Sequence, residues 1–460
     1  MNPITIPNIS IPTIGIPTIG IPSVGFPSAS GGGGLVWPAG MKEHIKAWYD
    51  PKKQGMTNYD VIEAYVEDFT NWNYVKARGV ATISQHKFII TECILKGLSI
   101  VEDIQEPYSN LTVRIIGITD NQEVLITDYV NGQHQIINTI TEDGIYTIED
   151  RSHFVGFGCN FVGTCNITIE QLPTSILKDL SGNGNHAYLY GGKGKLDSGM
   201  GVYKFDFLSD LHINSAYIPY SDRQEDKICS LIEHPAGWLF QFVSLSDIPA
   251  FKVEVKGIVN DRFVYRYYDE NGNRGKEIII NKDGIYELPI SYSVENNTGV
   301  GIVCSDACVD NVCFTQIPDY PDQLCYDGKM YAVCYGFPIL TDYTVMAERT
   351  WFEKKDIRGF ITKGQLFRFE WIVGDKEYTT NMNIDSSIAF PNGISYQTKT
   401  SYNGKAIISS TYEDETTLII GKRKEADYDC FIGCHGTIIV ADRSFTEEEI
   451  NWLKQNWDKI

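Results

Sequence analysis

Alternation of apolar and polar residues dominates the chain. Runs such as VRIIGIT from Val113 and EVLITDY from Glu123 place β-branched and aromatic residues at alternate positions, and Asn, Asp or Gly ends each run within a few residues. A period of two, broken by turn residues, predicts short antiparallel strands stacked as sandwiches. The closing segment departs from this pattern. Thr446 and Glu449 have the spacing of a capping box, and Phe445 with Ile450 that of a hydrophobic staple. Ile450, Leu453, Trp457 and Ile460 then fall on one face, predicting a short terminal helix that packs on a sandwich.

The alternating pattern occurs twice. VRIIGITDNQEVLITDYVNG from Val113 can be laid on VEVKGIVNDRFVYRYYDENG from Val253, pairing Gly117 with Gly257. The same register pairs Asp143-Gly144-Ile145-Tyr146 with Asp283-Gly284-Ile285-Tyr286. After a small loop difference, Cys159 pairs with Cys304, Gln171 with Gln316 and Pro173 with Pro318. Upstream, Asp68-Phe69 is matched less securely by Asp206-Phe207. Two similar β-sandwich modules are therefore expected at 62–173 and 204–318. Repeated modules of this kind serve as spacers or binding units, in which copies add reach or avidity.

The first thirty residues form a different repeat, with Pro7, Pro12, Pro17, Pro22 and Pro27 at every fifth place. Proline at that spacing excludes a helix or a central strand. Such a segment alone cannot bury Ile6, Ile9, Ile11, Ile14, Ile16, Ile19 and Ile21, and no charged side chain precedes Lys42. An uncharged Ile-Pro ribbon needs a partner to pack against. Residues 1–30 are thus expected to be an anchor or oligomerisation element, with 31–40 a Gly-rich hinge. Three ribbons burying one another around a threefold axis would make a homotrimer; docking to another protein is the alternative.

Composition narrows the function. Of 460 residues, 43% are hydrophobic and 21% charged, the balance of a folded protein. A net charge of −20 repels phosphate backbones, so nucleic acid is not an expected partner. No stretch reaches the roughly 18 to 20 apolar residues of a membrane helix. The N-terminus lacks the basic start and continuous apolar core of a signal peptide, so synthesis and folding in cytosol are expected. Eleven scattered cysteines fit reduced thiols. Cys304, Cys308 and Cys313, and Cys430 and Cys434 beside His435, match no zinc spacing and read as small buried residues, so no metal site is expected.

The pieces outside the two modules belong together. Trp48-Tyr49-Asp50, Leu177 to Asn185 (LKDLSGNGN), Asp327-Gly328 and Ala441 to Ile450 occur in the order typical of one domain type. In that order and in those motifs the chain resembles the concanavalin A-like (laminin G-like) sandwiches of gut Bacteroidales proteins and their bacteriophages. The resemblance implies an all-β concanavalin A-like jelly-roll sandwich, here discontinuous over 41–61, 174–203 and 319–460. The two inserted modules interrupt it, and strand-connecting loops are where insertions are tolerated.

Candidate chemistry is sparse. The Asp179–His186 loop offers Asp179, Asn183 and Asn185, whose oxygens suit calcium or a sugar, although Gly and Asn there also read as a tight turn with His186 structural. Phe263, Tyr265 and Tyr267 share one strand face, a sugar-stacking platform or part of a core. Glycanases of the concanavalin-like type set two carboxylates on one face. The nearest cluster, Glu413-Asp414-Glu415, reads as a turn entering a strand, and Glu370 has Arg368 two places before it. With no GxSxG, HExxH or P-loop pattern, the chain is expected not to be an enzyme. The combined expectation is a virion fibre or appendage protein, made in the host cytoplasm and anchored to capsid or tail proteins through its N-terminus. Its sandwiches would project toward host-surface or mucus glycans. A decoration protein without ligand is the alternative, and a depolymerase ranks below both.

Overall fold

Period-two alternation becomes strand almost everywhere. A computed structural model describes residues 35–56, 61–62, 65–103, 110–130, 133–149, 154–191, 194–195, 211–213, 218–224, 226–231, 233–242, 247–293, 299–352, 358–364, 367–372, 376–379, 393–406, 416–423 and 430–460. Among them the one α-helix is Glu447–Asn456 and nearly every other regular element is a strand, so the protein is all-β. The Ile-Pro repeat lies outside the described residues, as do Asp206-Phe207 and Glu413 to Glu415.

Two seven-stranded sheets form a frame. One runs Ile45–Tyr49, Ile432–Ala441, Thr344–Trp351, Gly393–Thr398, Ser401–Tyr402, Lys405–Ala406. The long strand Ile432–Ala441 pairs with Ile45–Tyr49 over one half of its edge and with Leu324–Asp327 over the other. The second sheet runs Ile176–Leu177, Ala187–Tyr190, Tyr331–Tyr335, Thr417–Ile420, Arg358–Lys363, Phe367–Ile372, Lys376–Thr379. Tyr49, Leu189, Ala332, Val345, Phe360, Leu418 and Val440 fill the space between the sheets. On the far side of the first sheet, Met346, Tyr396 and Ile439 receive Ile450, Leu453 and Trp457 of the terminal segment. Its helix begins on the expected capping box: Thr446 Oγ accepts from the Glu449 amide, and the Glu449 carboxylate accepts from the Thr446 amide at 2.9 Å.

Between these frame strands the chain builds two pairs of five-stranded sheets. In the first pair, one sheet runs Gly144–Ile148, Leu111–Ile116, Gly163–Gln171, Lys87–Cys93, Gly79–Ser84. The matching sheet of the second pair runs Gly284–Leu288, Phe251–Lys256, Val312–Ile317, Lys227–Ser230, Ser221–Arg223. The facing sheets run Asn73–Tyr74, Leu98–Glu102, Phe154–Cys159, Val124–Val130, Gln133–Ile140, and Leu211–His212, Gly237–Phe242, Gly301–Cys304, Phe263–Arg266, Ile278–Ile280. Every strand has its counterpart in the same place. Alternation chooses the buried face in each: Leu111, Val113 and Ile115 in one, Phe251, Val253 and Val255 in the other. Each fully buried Phe or Leu side chain contributes about 2 kcal/mol relative to exposure.

The motifs shared by the two sandwiches have structural causes. Gly117 at φ +93° and Gly257 at φ +98° each sit where a Cβ would lie 2.2 Å from a backbone oxygen, of Asn166 and Asn311 respectively. Asp143 accepts from the Gly117 and Ile118 amides at 3.0 and 2.9 Å, and Asp283 from the Ile258 amide at 2.7 Å. Tyr146 and Tyr286 each donate their hydroxyl to the carbonyl four residues back. Gly117→Ala is expected to cost roughly 2 kcal/mol, combining left-handed backbone strain with a clash against a carbonyl that cannot rotate away. Urea unfolding checks this; a loss below about 0.5 kcal/mol, the range of neutral surface changes, would refute the close approach.

One expectation about the cysteines is corrected. Cys229 and Cys313 lie directly opposite each other on paired strands and are joined as a disulfide; the remaining cysteines are thiols. Their pairing across one sheet places the sulfurs together, a proximity that sequence spacing does not reveal.

Candidate functional site

The face of the second frame sheet that points away from the core is rich in tyrosine. In YAVCY (Tyr331–Tyr335) alternation sends Ala332 and Cys334 inward, leaving Tyr331, Val333 and Tyr335 outward. On the neighbouring strand Leu189 points inward and Tyr188 and Tyr190 outward. Leu172, at the end of the first inserted sandwich, is buried against this surface. Tyr190 stacks on Tyr331 at 5.4 Å between ring centroids, and its hydroxyl lies 3.0 Å from that of Tyr335. Burial pushes Tyr335 up to about 12, while its bond to Tyr190 pulls the other way, so the hydroxyl stays protonated and remains a donor.

Across from Tyr335 stands Arg114 of the inserted sandwich, its guanidinium 4.4 Å from the ring centroid and 3.6 Å from the Glu170 carboxylate. Beside this stacked pair opens a cleft of about 490 Å³, bordered by Arg114, Ile116, Asp143, Ile145, Tyr335, Thr416 and Thr417. An aromatic edge, a guanidinium and two hydroxyls around an open hollow can hold a polyhydroxylated ligand by stacking and hydrogen bonding. This site is not legible along the chain. The alternation of YAVCY marked the outward tyrosines, but nothing local placed Arg114 over them.

A second cleft, about 330 Å³, lies where the frame meets the terminal segment and is bordered by Asp50, Lys53, Asp322, Glu348, Thr437, Trp457 and Asp458. Glu348 accepts from Trp457 Nε1 at 3.2 Å and Gln323 Nε2 at 3.3 Å. Burial, followed by the charges of Asp458 and Asp50, raises its carboxyl above the ordinary value against the pull of Trp457. Buried Asp50 accepts from Thr437 Oγ at 3.0 Å and from the Lys53 amide at 2.9 Å. Two carboxylates in different surroundings thus share one cleft, although the search along the sequence found no such pair.

The candidates singled out from the sequence lie elsewhere. Asp179 is buried, and its carboxylate accepts from the amides of Trp48, Ser181 and Asn185 and from the Ser181 hydroxyl, at 2.8 to 3.0 Å. Asn183 and Asn185 donate to the carbonyls of Ile45 and Lys46 at 2.8 and 2.7 Å, and His186 Nδ1 accepts from the Asp179 amide. The loop therefore clamps the first frame strand through its polar atoms. Phe263 and Tyr265 are fully buried in the second inserted sandwich, and Tyr267 stacks on Tyr265 at 5.8 Å. The strand face proposed as a platform is thus core, because it faces the partner sheet. Glu370 lies on Phe367–Ile372.

The cysteine group is rearranged. Cys313 is bonded to Cys229, and in its place His234 joins Cys304 and Cys308, with the ligand-capable atoms of all three within 4.8 Å of one another. His435 is buried against Tyr326 and Phe360, and the Tyr326 hydroxyl lies 3.0 Å from its Nε2.

No protein-family model and no curated protein matches the chain. Among solved structures, Trypanosoma rangeli sialidase in complex with sialic acid is 9% identical at a TM-score of 0.22, over 83% of this chain and 84% of that one. The complex of that sialidase with the inhibitor DANA is 10% identical at 0.23, over 88% and 94%. The matched structures are sialidases, so the expectation that the chain is not an enzyme finds no support among them. At such TM-scores the likeness transfers neither substrate nor activity.

Proposed function

We propose that the chain is a display protein of appendage type, a fibre or appendage subunit of a bacteriophage virion, holding glycans in the cleft bordered by Arg114 and Tyr335. The observation that carries this reading is the insertion of one sandwich design twice into a frame sandwich, with the tyrosine-faced cleft at the seam with the first copy. Repetition of a module suits a spacer that presents a binding surface. The uncharged Ile-Pro repeat supplies the anchor, to sister chains in a trimer or to capsid or tail proteins.

Oligosaccharide titration of the full chain tests the reading. Tyr335→Ala and Arg114→Ala are each expected to weaken binding at least about tenfold, the worth of one lost stacking or charge-assisted contact. Binding that survives both substitutions would move the site, and an absence of binding to host-surface and mucus glycans would leave a decoration role. Mass in solution tests the anchor: a trimer for the whole chain and a monomer for a chain starting at Leu35 are expected.

A second reading is favoured by the cleft of Asp50 and Glu348. A carboxyl held up by burial facing a hydrogen-bonded carboxylate is the asymmetry that general acid cleavage of a glycosidic bond uses. Release of reducing ends from a polysaccharide, lost in Glu348→Gln, would establish it; the same release by the variant would exclude Glu348.

A further inference from the structure

We propose that His234, Cys304 and Cys308 form a buried zinc site in the second inserted sandwich. The three side chains arrive from separate places: His234 follows the strand Lys227–Ser230, Cys304 ends Gly301–Cys304, and Cys308 lies in the loop leading to Val312–Ile317. Each is almost fully buried, at 0%, 2% and 1% exposure. Reciprocal backbone bonds lock the two loops together, the Glu233 amide to the Cys308 carbonyl and the Cys308 amide to the His234 carbonyl, both 2.8 Å. The ligands are therefore held by the fold itself, independent of an ion.

The histidine is oriented for coordination. Its Nδ1 lies 2.8 Å from the Pro235 carbonyl, which can only accept, so Nδ1 carries the proton and Nε2 presents the lone pair. Ligand atoms within 4.8 Å of one another need to close only slightly around zinc, with Zn–S of about 2.3 Å and Zn–N of about 2.0 Å. Sulfur and imidazole select a soft cation and disfavour calcium or magnesium. Charge then selects among soft ions: two thiolates and a neutral imidazole balance a divalent ion, whereas a monovalent one would leave net charge in an apolar core. Binding displaces both thiol protons to solvent, so no oxidant is involved. Three protein ligands leave the fourth tetrahedral position to a small exogenous ligand.

The first sandwich provides an internal control. At the equivalent corner Cys93, Cys159 and Cys165 are brought close, but Gly163 stands where the alignment places Cys308. The corner recurs without the His-Cys-Cys set.

The test is cobalt and zinc titration of the full chain after mild reduction and removal of metal. The expected result is a single tightly held cobalt ion with thiolate charge-transfer absorption, displaced by zinc, and protection of Cys304 and Cys308 from alkylation mapped by peptide mass. Cys308→Ser and His234→Ala are each expected to weaken binding more than about 100-fold, beyond the cost of losing an outer partner. Cys159→Ser is expected to leave binding unchanged. Absence of the thiolate band in wild type, free alkylation of Cys304 and Cys308 in zinc, or loss of the ion through Cys159→Ser alone would overturn the site. The cobalt thiolate band is read on wild type, so it decides the matter even where a variant fails to fold. Displacement of zinc by copper(I) at equal concentration would overturn the choice of ion.

Discussion

Asp179→Ala is expected to destabilise the protein by about 3–5 kcal/mol, the cost of removing one partner from a buried, charged hydrogen-bond network. The carboxylate binds three backbone amides and a hydroxyl, and the Trp48 amide among them belongs to the first frame strand. Alanine leaves the buried Trp48 amide without this acceptor. Asp179→Asn should recover only part of the loss, because its amide nitrogen cannot accept. Urea unfolding at neutral pH reads both. A loss below about 1 kcal/mol, the net worth of one ordinary hydrogen bond, would show the loop to be dispensable to the frame. It would then return to the ligand reading, which calcium or sugar titration could examine.

Acidification is expected to remove about 3 kcal/mol through His435 alone. Burial holds its folded value down to about 4, from 6.5, despite the opposing bond of Nδ1 to the Gly436 carbonyl. Tyr326, itself raised by burial and so a donor, gives its proton to Nε2. The neutral ring is thus the folded form. The unfolded chain binds the proton more readily, so the stabilisation is full above pH 6.5 and drains away as pH falls toward 4. At 1.36 kcal/mol per unit of difference this window is worth about 3 kcal/mol. His435→Gln should flatten the curve between pH 6.5 and 4 while preserving the acid loss carried by Asp442 and Glu449. Those carboxyls are held low, Glu449 by Arg443 and Asp442 by Lys46 and His44 against the pull of burial, and they act nearer the lower end. Equal slopes for wild type and variant across that window would refute the assignment.

Much of the architecture was legible along the chain because its causes are local or repeat at a constant interval. Alternation in Leu111–Ile116 and Phe251–Lys256 requires only that one face be dry, and the structure buries the expected residues of both. The capping box at Thr446 spans one helical turn. Gly117 and Gly257 announced the duplication because a close crossing with Asn166 and Asn311 admits no side chain.

The candidate sites were less legible because each joins side chains that only sheet order brings together. Arg114 reaches Tyr335 across a seam between two sandwiches. Asp50 and Glu348 share a cleft because Ile45–Tyr49 and Thr344–Trp351 flank the same long strand. His234 meets Cys304 and Cys308 through two loops that pair backbone to backbone, while Cys313, nearer in sequence, is drawn to Cys229 by strand register. The sequence by itself determined that this protein is all-β and where its closing helix begins, since period and capping are one-dimensional properties. Tertiary structure alone decided which polar groups converge, because strand order and register set distances that no spacing along the chain encodes.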